Sequence, residues 1–301
     1  MIYIFLRGRI GNQLFMYAIA EELRFRRNCN EEIVIDDTEV LNANWENSLE
    51  KYNLNNVRYV HNHDEVNKFK FKNLIRNFYY KYIFNKDYIK KYNLEKKYQR
   101  LFNKFGLILC ENGYTDYKLP KNKNILIEGY FQSEKYFPNT KDLLKKYFSI
   151  NEDVKQSNYP NIDLLKSRNS VCISIKVEHN VGSSLYDVCS NGYWKAAIKY
   201  ITDNVENPLF FICSDNVDYV KNNLIDCSKY DAVFQEKTFP VTTSLAVMGL
   251  CKHFIIGNTS FGWWAQYLST NKNKIVVAPS KWMKVDMPID IYQDDWKLIE
   301  V

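Results

Sequence analysis

Residues 2–27 read IYIFLRGRIGNQLFMYAIAEELRFRR. The first five form a short run of β-branched and aromatic residues, the pattern of a buried strand. "RGRIGNQ" follows, and then "LFMYAIAEELRFRR" with apolar residues at helical spacing. Strand, glycine turn and helix open a parallel α/β unit. Working outward, "EEIVIDD" (31–37) predicts the next strand, and "NILIEGYFQSEKYF" (124–137) begins as a strand and turns aromatic and polar. A polar stretch, 151–163, marks the expected domain boundary. Beyond it, "SVCISI" (170–175) and "PLFFICSD" (208–215) predict strands, each followed by a helix, at 192–205 and 217–225. "TTSLAVMGLC" (242–251) predicts a helix, "KHFIIGNTS" (252–260) a strand running into a loop, "FGWWAQYL" (261–268) a helix and "NKIVVAPSKW" (273–282) the last strand. With 301 residues the chain exceeds the usual reach of one core, about 250–300 residues. The reading is α/β, with two doubly wound Rossmann-type domains facing a cleft, 1–155 and 156–301. Ligands of such sheets gather beyond the carboxyl ends of the strands. "GRIGNQ", "KVEHN", "CSDN" and "GNTSFGWW" all fall there.

The bulk composition, 46% hydrophobic and 25% charged, is that of a soluble globular chain. The 23 tyrosines suit stacking on sugars or bases. An AT-rich gene is the alternative source, since it inflates Tyr, Phe, Asn, Lys and Ile together. The seven cysteines are odd in number, contain no CxxC and sit partly inside apolar runs. They point to a reducing compartment without a disulfide framework or zinc site. No signal peptide or transmembrane helix is expected. His61 and His63, beside Asp64, read as surface residues rather than metal ligands. Residues 64–105 carry twelve Lys/Arg against four Asp/Glu, a net +8 that exceeds the whole chain's +6. Such a basic, aromatic, helical stretch either lies on an anionic membrane surface or is a solvated insertion with its rings turned inward. No nucleic-acid motif accompanies it, so nucleic acid is not an expected partner.

Four segments carry a family resemblance: "GRIGNQLFMYAIA" (8–20), "IEGYFQSEKYF" (127–137), "FFICSDNVDYVKNNL" (210–224) and "CKHFIIGNTSFGWWAQYLSTNKNKIVVAPSKW" (251–282). In this order they resemble the bacterial α-1,2-fucosyltransferases of glycosyltransferase family 11, and "GRIGNQ" also echoes protein O-fucosyltransferases. The resemblance implies a GT-B-like fold and an inverting, metal-independent enzyme using GDP-fucose, with no cofactor. It places the acceptor on the N-terminal domain and the donor on the C-terminal one. It also implies a glycan or lipid-linked glycan acceptor, in surface polysaccharide synthesis on the cytoplasmic face of a membrane. Two departures stand out. Where the family carries His-x-Arg-Arg-x-Asp, this chain has Ser174, Lys176, Val177 and His179. Where it usually has an acid about seven positions before the cysteine of "CKHFII", this chain has Ser244.

Inverting transfer requires stabilisation of the leaving diphosphate and removal of the acceptor proton. Lys176 is the candidate for the first task, as a point charge without the two-pronged fork of arginine. Glu178 and His179 are the candidate bases. Asn258, Thr259, Ser260 and Phe261, at a helix start, are expected to bind the donor, although a plain helix cap explains the same pattern. Asp215 and Ser214 would meet ribose or base, with an Asx turn as the alternative. Ser174 and Ser244 complete the donor half, with Arg9 and Asn12 reaching in from the glycine turn. Gln13, Glu128, Tyr130 and Gln132 are the acceptor-side candidates. Two other readings remain open: a transferase of the same family using another nucleotide sugar, and a sugar- or nucleotide-binding homologue without catalysis.

Overall fold

The opening run forms its strand: β1 (Ile2–Phe5) is buried throughout and pairs in parallel on both sides. It lies at the centre of a sheet with β2 (Ile33–Asp36), β3 (Val57–Val60), β4 (Leu107–Cys110) and β5 (Ile125–Gly129), in the order β3-β2-β1-β5-β4. The protein's computed structural model describes residues 1–149, 161–236 and 239–301, without the side chains of Asp64 and Val66. The boundary expected at 155/156 lies outside the described residues. The chain divides into one unit of Met1–Tyr147 with Asp286–Tyr292, and another of Phe148–Val285 with Gln293–Val301. The second unit is therefore not the continuous stretch 156–301. Asp286–Tyr292 belongs to the first, where Asp290 pairs with Lys135 at 2.8 Å.

In the first unit, α1 (Ile10–Arg26) follows the glycine turn and packs against β1 and β5. Only Gly8 bends that turn, at a φ of 71°, because Gly11 already belongs to the helix. The other face of the sheet is covered by the basic segment. Tyr3, Phe5, Val34, Leu107, Leu109 and Leu126 pack there against Tyr79, Ile83 and Phe102. These last residues come from α2 (Lys70–Tyr79), the π-turn Tyr80–Phe84 and α3 (Tyr88–Lys104). The segment is thus one helical layer of the unit, with Tyr79 and Phe102 turned onto the sheet and Phe71, Phe78 and Tyr82 left in solvent. Strands covered on both faces read as continuous apolar runs, as β1 and β4 do.

The second sheet has the order β11-β10-β9-β6-β7-β8 and is parallel throughout. Its strands are β6 (Asn169–Ile175), β7 (Pro208–Ser214), β8 (Ala232–Phe234), β9 (His253–Ile256), β10 (Val276–Pro279) and β11 (Lys297–Ile299). The run at 273–282 is therefore not the last strand. β11 follows it, three half-exposed residues at the sheet edge, too short to show a period. α4 (Asn191–Asn204) packs on β10 and β11, and α5 (Val241–Met248) lies against α6 (Ser260–Leu268). Trp263 and Trp264, the two large rings of α6, are both fully buried. All seven cysteines are free. No helix among the described residues is long and apolar enough to cross a membrane.

A buried carboxyl fastens α3 to the first sheet. Glu95 Oε1 accepts the Tyr79 hydroxyl at 2.6 Å and the Glu111 backbone N–H at 3.1 Å, while its other oxygen has no partner. Burial pushes this carboxyl up to about 7, with Glu111 adding to the rise and the two hydrogen bonds and Lys91 opposing it. The folded state therefore holds a proton that the unfolded chain has released. This contribution is fully present below about pH 4.5 and is lost as pH rises through about 7. Stability should fall across that window by up to about 1.4 kcal/mol per pH unit from this group alone. Glu95→Gln keeps the accepting oxygen without the charge, so its urea midpoint should vary less with pH than that of the wild type.

Candidate functional site

The second unit reverses its strand order between β6 and β9, and the chain ends of these two strands carry the site. Lys176 is the first residue beyond β6. Its Nζ lies 2.5 Å from Asp215 Oδ2, just beyond β7, with the two side chains 25% and 21% exposed. The other oxygen of Asp215 accepts the Val177 backbone N–H at 2.8 Å. One carboxylate thus joins two neighbouring strand ends and fixes the lysine. The chain then turns sharply, with the Asn180 and Val181 N–H groups donating to Val177 O. His179 takes a positive φ of 67°, and Glu178 and His179 are exposed on this turn. Lys176, Asn180, Tyr186, Asp187, Trp194 and Asn258 line a pocket at the same sheet edge.

Asn258, beyond β9, organises that pocket. It is 7% exposed, and every polar atom of its side chain is engaged. Its amide donates to Tyr186 O and Trp282 O, both at 2.9 Å, and its oxygen accepts from Asn180 at 3.1 Å and from the Cys189 thiol at 3.6 Å. It therefore pins two loops to the strand end. Thr259 caps α6 by accepting the Gly262 N–H at 3.0 Å. Ser260 and Phe261 stand partly exposed on the first turn, where a helix leaves backbone N–H groups unpaired. Ser174 is buried under α6: a Cβ on Gly262 would lie 2.9 Å from its hydroxyl. The Ser214 hydroxyl accepts the Asn216 N–H at 3.0 Å, and the buried Ser244 hydroxyl accepts Gln235 at 2.6 Å.

The first unit reverses between β1 and β5. Arg7, beyond β1, pairs with Glu111 and lies 5.2 Å over the Tyr130 ring. Burial opposes its charge, yet the surrounding acidic groups, Glu111 foremost, raise its pKa on balance. Asn12 accepts from Gln132 at 2.8 Å, and Arg9 lies exposed over Trp45. Two acceptor-side candidates are occupied within the chain. Gln13 is buried, donates to Gly8 O and Glu46 O and accepts the Ser48 N–H. Glu128 is buried in a fork with Arg76, at 2.8 and 3.2 Å, and also accepts the Tyr80 hydroxyl. His61 and His63 each face a buried aspartate, Asp37 at 2.5 Å and Asp36 at 2.9 Å. The Asp37 hydrogen bond raises the His61 pKa. Sequence reasoning passed over Arg7, Glu111 and Asp187. Arg7 carried a usable signal, as the first charge after a fully buried strand.

The family model for Glycosyl transferase family 11 matches residues 1–300. The chain belongs to glycosyl transferase family 11. This family 11 chain is 24% identical over 317 residues to the O-antigen biosynthesis glycosyltransferase WbnK of Escherichia coli, across 98% of this chain and 99% of that one. It is 28% identical over 201 residues to an Escherichia coli alpha-1,2-colitosyltransferase, across 62% of this chain and 68% of that one. Among solved structures it resembles the NodZ alpha-1,6-fucosyltransferase of Bradyrhizobium soaked with GDP-fucose, with a TM-score of 0.55 at 12% identity over 95% of this chain and 99% of that one. That likeness extends to the fold, two doubly wound units of GT-B-like type. The protein is a glycosyltransferase, fucosyltransferase-like in family and fold.

The bonding of Asn258 generates a prediction. Asn258→Ala strips the buried Trp282 carbonyl and the part-buried Tyr186 carbonyl of their donor and should cost about 1–3 kcal/mol of stability. Asn258→Asp, which sets a carboxylate against the same carbonyls, should do no better. A melting temperature equal to wild type for either variant would show that the loops hold without it.

Proposed function

We propose that this chain transfers fucose from GDP-fucose to a glycan hydroxyl, inverting the anomeric centre without a metal ion. The second unit takes the donor and the first the acceptor. The product would be an O-antigen-type surface polysaccharide, assembled on the cytoplasmic face of a membrane to which the enzyme attaches peripherally. The observation that carries this reading is the meeting of Lys176 and the strand end before α6 at one pocket, where the sheet reverses. A cation beside a helix N-terminus suits a leaving diphosphate. The names of the Escherichia coli relatives and the GDP-fucose soaked into NodZ support the polysaccharide and the donor.

In the proposed displacement the acceptor oxygen bonds to the anomeric carbon from the face opposite the diphosphate. The bond from that carbon to the phosphate oxygen breaks, and its electron pair leaves with the diphosphate. Lys176 and the N–H groups opening α6 meet that charge. The acceptor proton passes to Glu178 or His179, both exposed on the turn after Lys176. A second reading keeps the reaction and changes the nucleotide sugar. It is favoured by Ser244, bonded to Gln235 where the family resemblance implies an acid, and by the colitosyl transfer named for one relative.

A thermal-shift panel of GDP-fucose, GDP-mannose, UDP-galactose, UDP-GlcNAc and dTDP-rhamnose separates the two, since a ligand of the folded state raises the melting temperature. GDP-fucose and GDP should stabilise alone; stabilisation by another nucleotide overturns the donor. Lys176→Ala should lower turnover by about 10²–10³-fold, the range for loss of one charge-stabilising donor, and Lys176→Arg should retain part of it. An alanine variant at the wild-type rate removes Lys176 from the mechanism. Turnover in excess EDTA should equal turnover without it, and a clear loss would contradict the metal-free reading.

A further inference from the structure

We infer that the outer face of α2 is a docking surface for an anionic lipid bilayer. Phe71, Leu74 and Phe78 project from it at 58%, 65% and 46% exposure, and Tyr82, in the π-turn, at 49%. Their spacing of three and four residues sets them along one side of the helix. The Phe78 and Tyr82 rings touch, with centroids 5.0 Å apart. The inner side cannot rotate outward to cover them. Lys72 Nζ donates to Phe105 O, Gly106 O and Asn124 O, Arg76 is forked to Glu128, and Tyr79 is fully buried. The stripe is therefore held in solvent by the fastening of the opposite side.

Charge selects the occupant. Lys70, Lys81, Lys86 and Lys90 are exposed around the stripe, and Lys96, Lys97, Arg100 and Lys104 continue the positive field along α3. Between residues 68 and 104 the only acids are Asp87 and the buried Glu95. A second copy docking stripe to stripe would bring these cations together. A polyanion would satisfy the lysines and leave the rings in water. An anionic bilayer takes both, with rings at the acyl boundary and ammonium groups among the phosphates. This refines the peripheral attachment proposed above and rests on that reading only for its location.

The test is sedimentation of the full-length protein with vesicles of phosphatidylcholine alone or with phosphatidylglycerol. The wild type should sediment with the phosphatidylglycerol vesicles, and less as salt rises. The triple variant Phe71→Ser, Leu74→Ser, Phe78→Ser should bind at least tenfold more weakly. Lys81→Glu with Lys86→Glu should shift the salt dependence. These positions are exposed, and an unchanged melting temperature verifies that the variants fold. Absent binding, or equal binding by the triple variant, overturns the inference. So does self-association that the triple variant abolishes while vesicles are ignored, which would assign the stripe to a second copy. The vesicle assay needs neither donor nor acceptor, and turnover on a soluble acceptor is read separately. Failure of the docking surface and failure of the proposed reaction are therefore distinguishable.

Discussion

The central strands of both sheets are short, parallel and covered on two faces, which leaves the chain few places for a charge. Inside such a sheet a lone ion would face a desolvation cost of several kcal/mol. Charged groups therefore collect where strands end, and those that stay partly buried must find partners there. Lys176 meets Asp215, Arg7 meets Glu111 and Arg76 meets Glu128. These pairs differ in standing. Arg76 and Glu128 form a fork under a helix, a fixed part of the first unit. Lys176 and Asp215 are about a quarter exposed, and a pair open to water to that degree contributes about 1 kcal/mol or less. Such a pair costs little to open.

Much of this organisation was legible in the sequence. Short, mainly apolar runs marked β1, β2, β5, β6, β7, β9 and β10, because two-sided burial removes the alternation that would confuse them with surface strands. Their order also placed "GRIGNQ", "KVEHN" and "GNTSFGWW" at strand ends. The edge strands β3, β8 and β11 escaped, since partly exposed segments of three or four residues carry no period. β4, Leu107–Cys110, escaped although Gly106 and a change from a lysine-rich helix to four apolar residues mark its start.

The side-chain roles were less legible, because a polar residue beside a strand end has two uses that look alike in sequence. Gln13 and Asn258 both lie in segments shared with the family, and both spend their hydrogen bonds inside the chain. They shape the loops around a pocket. Glu128, within β5, suggested a ligand contact, yet it accepts an arginine that lies 52 residues earlier in the sequence. No local pattern reveals such a partner. Exposure is equally hidden. The rings of Tyr79 and Phe78 are neighbours in sequence, and only the placement of α2 against the sheet sends one inward and the other to solvent.

Lys176 suits what Asp215 is already doing. One carboxylate oxygen accepts the Val177 N–H, which leaves the other for an ammonium. A guanidinium prefers both oxygens in a fork, and would compete with that backbone bond. The lysine therefore lets a single aspartate brace the turn and hold a cation at the same time. The cost is charge balance, since lysine and aspartate together are neutral. What shapes the pocket is instead Asn258, whose side chain is bonded to Tyr186, Trp282, Asn180 and Cys189 and so fixes both loops to the strand end beside the lysine.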